Sequence, residues 1–408
     1  MEPQPTATAL NYWAHRPRRH TSAPLTFGFE ENTISMRTDT GAKQAATQRF
    51  TALLRRIRSL AASSQRPSPS TPADPADLRF FDMPTRFSGP TVITAGPDGS
   101  AWTMQMFANQ VARVDPTTGH VREYPIPWGP TYPRPQRSAG PRILPPGFTP
   151  LSCTIKPGAD GNIYFTNGIR NQIGQLNPDT GAVRLFTPPS RFGGLFPLTD
   201  LSSSADAIWF SQTTANRIGR FDLATHKFRD YAVPTRASMP VGVFSSSDGS
   251  VWIAETAANK IGHLDPDTGR ITEYRLPQSL SGPFVINGET EGRYVWFTQM
   301  SGNRIGRLDL HTNTIDSYRV PLRASFPAEV CAAPDGKIYF THLIRNGIGR
   351  LDPRDGTVTN IAIPAQRMLS RLPIKVRPTA TVGICSGPGN AIWFTWGFGN
   401  RVGRLALN

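Results

Sequence analysis

The sequence predicts an all-β, seven-bladed β-propeller, and three observations carry the prediction. First, a segment of about 14 residues returns seven times. Close copies are 208–221 (IWFSQTTANRIGRF), 251–264 (VWIAETAANKIGHL), 295–308, 338–351 and 392–405, with looser ones at 101–114 and 163–176. Second, the leading aromatics Trp102, Tyr164, Trp209, Trp252, Trp296, Tyr339 and Trp393 recur every 43–45 residues through the middle of the chain. A period of that length marks a propeller or a similar array. Third, the strand count closes only as a ring.

Each unit reads as four short strands. In the fourth unit, residues 240–245 form the first strand and Asp248-Gly249 gives a hairpin turn. Residues 251–255 form the second strand and 260–264 the third. After the 265–269 turn (DPDTG), residues 270–276 (RITEYRL) alternate as a fourth strand closed by Pro277. Seven second–third pairs are present, but the chain stops at Asn408, right after the seventh third strand. Segment 78–84 (LRFFDMP) matches 121–127 (VREYPIP) and 271–277 (ITEYRLP). The N-terminal strand is therefore expected to complete the last blade and remove the open edge. The propeller domain is 78–408. Residues 1–77 read as a basic extension: an amphipathic helix over 41–63, with Phe50, Leu53, Leu54, Ile57 and Leu60 at helical spacing, then a Ser/Pro/Ala-rich linker.

Composition narrows the class. With 38% hydrophobic residues, 36 Gly and 39 Pro, the chain suits a turn-rich β fold with a large core. No run approaches the ~18 apolar residues that span a membrane. Residues 1–20 hold no apolar secretion segment, so a cytoplasmic location is expected. Cys153, Cys331 and Cys385 each fall near the middle of a first strand and form neither a disulfide framework nor a zinc pattern; buried thiols are expected. The net charge of +15 raises nucleic acid as a partner. Much of the excess, however, is repeat decoration spread around a ring: Arg217, Lys260, Arg304 and Arg401 fill one motif slot, and Arg220, Arg307, Arg350 and Arg404 another. No nucleic-acid partner is expected, and nothing in the sequence fixes an oligomeric state.

In a propeller, the starts of first strands and the ends of second strands meet on one face, near the central channel. Two fourth-to-first connections on that face are long, 128–149 and 365–377. Long loops on a regular scaffold often carry function. Trp128 and Tyr132 in the first and Arg371 in the second suggest an apolar lid with basic donors. The residues ending the second strands are Gln105, Asn167, Gln212, Glu255, Gln299, His342 and Trp396, and they read as a polar channel ring. Counting back from the Asp335-Gly336 turn places Glu329 opposite His342, a pair suited to orienting an imidazole as acid, base or donor. Asp200, inside a first strand, is a further candidate.

The repeats resemble those of the streptogramin B lyases (the virginiamycin B lyase family), propellers built of WFTE…NKIGRI…ITEYPLP units. The resemblance covers about 78–408. It implies a magnesium-dependent elimination that opens a cyclic depsipeptide. The family uses a His after a Pro at the start of a first strand, a Glu-Pro-His at the start of the last such strand, and a Glu near the end of the strand that follows. Here Ala328 follows Pro327, the Glu-Pro-His maps onto Ala380-Thr381-Val382, and the last carboxylate falls at about Trp396-Gly397. The base and the metal ligands that such an elimination needs are absent from these positions, so no metal and no other cofactor is expected. The propeller as a whole also resembles the fungal hetero-Diels–Alderases of tropolone–sesquiterpene biosynthesis, though no diagnostic motif of theirs carries the likeness. It implies union of a quinone-methide-like ring with a humulene-type polyene.

The expected function is that of a metal-independent enzyme of specialised metabolism. It would cyclise an apolar aromatic or terpenoid small molecule, or join two by cycloaddition, through orientation and hydrogen bonding. His342, Glu329, Gln299 and Glu255 are the expected catalytic groups. Gln105, Asn167, Gln212, Phe284, Trp396, Trp128, Tyr132 and Arg371 are the expected substrate contacts. The alternatives are a C–O lyase or hydrolase with a relocated base, and a non-catalytic binding or scaffold propeller.

Overall fold

The computed structural model describes residues 52, 55, 71–72, 77–127, 154–189, 200–343, 345, 347–363, 381–397 and 399–407. They form seven sheets, each built on four antiparallel strands; six run in sequence order from first to fourth, and the seventh takes its fourth strand from the N-terminal segment. Blade four is Pro240–Ser245, Val251–Glu255, Lys260–Leu264 and Ile271–Arg275. Blade seven closes as expected: Leu78–Asp82 pairs antiparallel with Arg401–Ala406, Leu78 opposite Leu405 and Asp82 opposite Arg401.

The motif explains the packing. Its aromatic pair faces both sides of the second strand, and seven apolar clusters each join two neighbouring blades. Between blades five and six, Trp296, Ile305 and Val320 pack against Val330, Ile338, Phe340 and Leu351. The motif glycine is required where the third strand passes under the aromatic ring. A Cβ on Gly306 would lie 2.1 Å from Cζ of Phe297. The motif asparagine sits at φ near +55° in the tight turn and ties that turn to the connection between blades. Asn303 donates to the carbonyls of Val320 and Leu322, and its own oxygen accepts from Ser325. Asn400 does the same across the ring closure, accepting from Ser88 and donating to Thr85. The last repeat is thereby latched to the N-terminal strand.

Two features differ from the sequence reading. Thr71–Pro72, within the stretch read as a linker, pairs parallel with the fourth strand of blade six, Val358–Ala362. Of the expected helix over 41–63, only Ala52 and Arg55 are among the described residues, and both are helical.

Candidate functional site at the channel mouth

The first strands of blades one, four, five, six and seven do not pair regularly with their second strands. In blade six Val330 faces Phe340 and Cys331 faces Tyr339, but Pro327, not Ala328, faces His342. The same shift follows Pro90, Pro240, Pro283 and Thr381. It is a β-bulge, in which one extra residue re-aims the strand. Proline without an N–H suits the position that begins it.

The expected opposition of Glu329 and His342 is therefore corrected, for two physical reasons. The hairpin turns through three residues, since Ala333 and Lys337 close it and Gly336 takes φ +74°, which moves the register by one. The bulge then moves it again. The same shift pairs Pro90 with Gln105 and Pro240 with Glu255.

The second-strand ends are buried inside their own blades. Gln105, Asn167, Gln212, Glu255, Gln299 and His342 are 0% exposed and Trp396 is 1% exposed. Gln105 donates to Glu123 (2.8 Å), Gln212 to Asp230 (2.5 Å) and Gln299 to Ser317 (2.7 Å). His342 Nε2 meets Asn360 Oδ1 at 2.9 Å, and burial pulls its imidazole down to about 4. Glu255 is pushed up to about 8 by burial and by neighbouring Glu273, which is itself held by Lys260 and Thr235. Trp396 packs on Phe80 at 5.5 Å between centroids. None of these seven lines the channel mouth.

What lines it is a cavity of about 340 Å3, framed by first strands and by the residues just past the second strands. Phe284, Val285, Val241 and Val382 supply walls from the first strands; Met106, Phe107, Met300 and Leu343 supply them from just beyond the second strands. The wall is apolar, and its two carboxyl groups, Glu329 and Asp200, come from opposite parts of the ring, blades six and three. Of the residues expected to contact substrate, Phe284 lies on this wall. Trp128, Tyr132 and Arg371 lie outside the described residues.

The two carboxyls differ in their partners. Asp200 accepts from Thr154 Oγ1 (3.1 Å), Leu201 N (2.9 Å) and Val243 N (3.3 Å). Burial raises its proton affinity, against the pull of Lys156 and those donors. The Glu329 backbone N–H bonds Thr341, while the half-buried side chain borders the cavity. Burial first, and the Asp200 charge second, push that carboxyl up to about 8. The raised proton affinity favours the protonated form, which can donate.

Sequence reasoning missed Met106, Phe107, Met300 and Leu343. Their signal was the one or two motif slots just past the polar strand end, which are apolar in these residues. Ala328, Val382 and Gly397, which stand where the resemblance put catalytic groups, all border the same cavity. The bulge thus gathers those positions as the resemblance implied, with apolar or absent side chains on them.

Comparisons with known proteins agree with this geometry. The profile of the virginiamycin B lyase family matches residues 143–294 and 266–408. A streptogramin B lyase structure is 26% identical with a TM-score of 0.68, covering 81% of this chain and 97% of the other. The virginiamycin B lyase of Staphylococcus aureus is 25% identical with a TM-score of 0.67, covering 81% and 99%. A catalytically inactive His-to-Ala form of the S. aureus enzyme, solved with quinupristin, matches at 25% identity and a TM-score of 0.66, covering 81% and 99%. No curated protein matches the chain significantly. A profile match over more than half of the sequence, joined to the same seven-bladed ring, establishes that this chain belongs to the virginiamycin B lyase family.

Proposed function

We propose that the channel-mouth cavity binds a neutral, largely apolar organic molecule and promotes its cyclisation or cycloaddition, with Glu329 donating a hydrogen bond or proton to a substrate oxygen. The observation that carries this reading is a carboxyl of raised proton affinity bordering an apolar cavity. Such a group is worth more there than in water, because no solvent competes for the oxygen it addresses. Walls of Phe284, Met300, Met106 and Leu343 would hold hydrocarbon in a reactive pose.

The family's magnesium does not fit these residues. A magnesium ion asks for about six oxygen ligands in octahedral array. The cavity offers Ala328, Val382 and Gly397 where the family places its catalytic groups, an Asp200 whose oxygens already take three donors, and a Glu329 of raised proton affinity. Among the described residues, no cluster of three or more His, Cys, Asp or Glu could hold a metal. Family membership favours a second reading, in which Glu329 in its ionised form abstracts a proton in a lyase-like C–O elimination.

One experiment separates them. Purified protein and Glu329→Gln would be incubated, with and without EDTA, with a tropolone quinone-methide precursor plus a humulene-type polyene, and separately with a streptogramin B. Mass spectrometry follows the products. An EDTA-insensitive adduct, equal to both precursors less the water lost in forming the quinone methide and absent with Glu329→Gln, is the expected result. Linearised depsipeptide would establish the lyase reading instead. Tight binding of an apolar fluorophore with no turnover of either would leave a binding propeller.

A further inference from the structure

The channel below the cavity holds charge that the reading above does not use. Register fixes its tiers. Phe165, Phe210, Phe340 and Phe394 are equivalent motif residues, and they face Ile155, Leu201, Val330 and Ile384. One position earlier on those strands stand Thr154, Asp200, Glu329 and Gly383. One position later stand Lys156, Ser202, Cys331 and Cys385. Side chains alternate along a strand, so both sets share one face of their strands; Glu329 and Asp200 border the cavity, and the second set forms a deeper tier in which Cys331 and Cys385 pack into the apolar clusters between blades.

We propose that Asp200 is a positioning residue for Glu329. Fixed by the Thr154 hydroxyl and the N–H groups of Leu201 and Val243, its carboxylate makes Glu329 the proton-carrying member of the pair, and Lys156 on the deeper tier balances the charge. The donors favour charge on Asp200, and no comparable donors reach the Glu329 carboxyl among the described residues. Two carboxyls that share a low-dielectric space cannot both ionise cheaply, and different environments assign the proton to one of them. The groups facing Glu329 are Asp200 from blade three, Lys156 from blade two, and the thiols Cys331 and Cys385 from blades six and seven. Burial holds both thiols neutral, with Cys385 pushed up to about 12. Asp200 and Lys156 are therefore the charges that act.

This inference rests on the role proposed for Glu329, but its test needs no substrate. Protein labelled with 13C at glutamate carboxyls is titrated by NMR, and Glu329→Gln identifies the Glu329 signal. Asp200→Asn is expected to lower the proton affinity of Glu329 at least tenfold, and Lys156→Met to raise it, with the Glu255 signal unmoved in both. Should Asp200→Asn fail to fold, Lys156→Met decides alone. A Glu329 midpoint unchanged in every variant that folds overturns the proposal, as does an aspartate label showing Asp200 as the late-titrating group. Turnover that fails while the titrations behave as expected would sink the catalytic reading and leave this one standing.

Discussion

Glu255 is buried and Glu329 half-buried, both are pushed up to about 8, and both were candidates from sequence, yet they belong to different parts of the propeller. Glu255 ends a second strand and is sealed inside blade four beside Lys260 and Glu273. Glu329 lies in the bulge of a first strand and borders the cavity at the channel mouth. A raised proton affinity therefore does not by itself mark a site. Access does, and here access is decided by one extra residue in a strand. Each prediction below tests that division between blade interior and channel mouth.

The largest expected effect is on turnover. Glu329→Gln keeps shape but cannot supply a proton, and should lower the rate of the cyclisation by about 10²–10⁴-fold, the usual worth of a general acid. Its fold should survive, because a neutral amide suits the same low-dielectric space. Steady-state rates beside a thermal melt check both halves. A variant that melts early with unchanged specific activity would return Glu329 to the structural groups.

Next comes Trp396→Ala, at the end of a second strand. The indole is 1% exposed and packs on Phe80. Its loss should cost about 3–5 kcal/mol of stability, the range for truncating a buried large aromatic. Denaturant melts measure it. Substrate affinity lost without a change in stability would place Trp396 in the site after all.

The ring itself was legible because its signals repeat. The motif Asn and leading aromatic recur seven times and the motif Gly six, with Ala112 in its place in blade one, and the match of 78–84 to other fourth strands gave the closure. The mouth was legible only in part. The resemblance pointed to Ala328, Val382 and the 396–397 step, and the cavity borders Ala328, Val382 and Gly397. What failed was register. A count along regular strands cannot see a three-residue turn followed by a bulge, and a slip of one residue turns every side chain to the other face. Separately, the expected ring took the last residue of each second strand, Gln105, Gln299 and His342 among them, whereas the cavity is bordered by the next residue, Met106, Met300 and Leu343. Pro327 was the available warning, since proline at a strand start cannot complete a regular ladder. The Asp200–Glu329 pair needed the closed ring, because blades three and six meet only across the channel.

His342 sharpens the blade-interior side of the comparison through pH. Above its unfolded value of about 6.5 the imidazole is neutral in both states. Below that, the unfolded chain takes up a proton that the folded chain accepts only near 4. Stability should therefore fall as pH drops through this window, by on the order of 3 kcal/mol in full. Denaturant midpoints of the protein and of His342→Gln from pH 7 to pH 4 would show it. The variant should lack this part of the slope, and equal slopes would mean that the imidazole is open to solvent.

The smallest effect tests Glu255. Its folded proton affinity is raised, so the stabilising balance is complete below the unfolded value near 4.5 and is lost progressively as pH rises toward 8. Glutamine is neutral throughout. Glu255→Gln should match the protein near pH 4.5 and exceed it by on the order of 2 kcal/mol at pH 7, as read from denaturant midpoints. Glu329→Gln should show the same sign for the same reason, so stability alone cannot tell the two glutamates apart. Turnover can: Glu255→Gln should leave it unchanged, because that carboxyl is buried beside Glu273 and Lys260 and does not border the cavity. If instead both substitutions abolish the proposed turnover, the blade interior communicates with the mouth, and burial at a second-strand end no longer separates structure from function in this propeller.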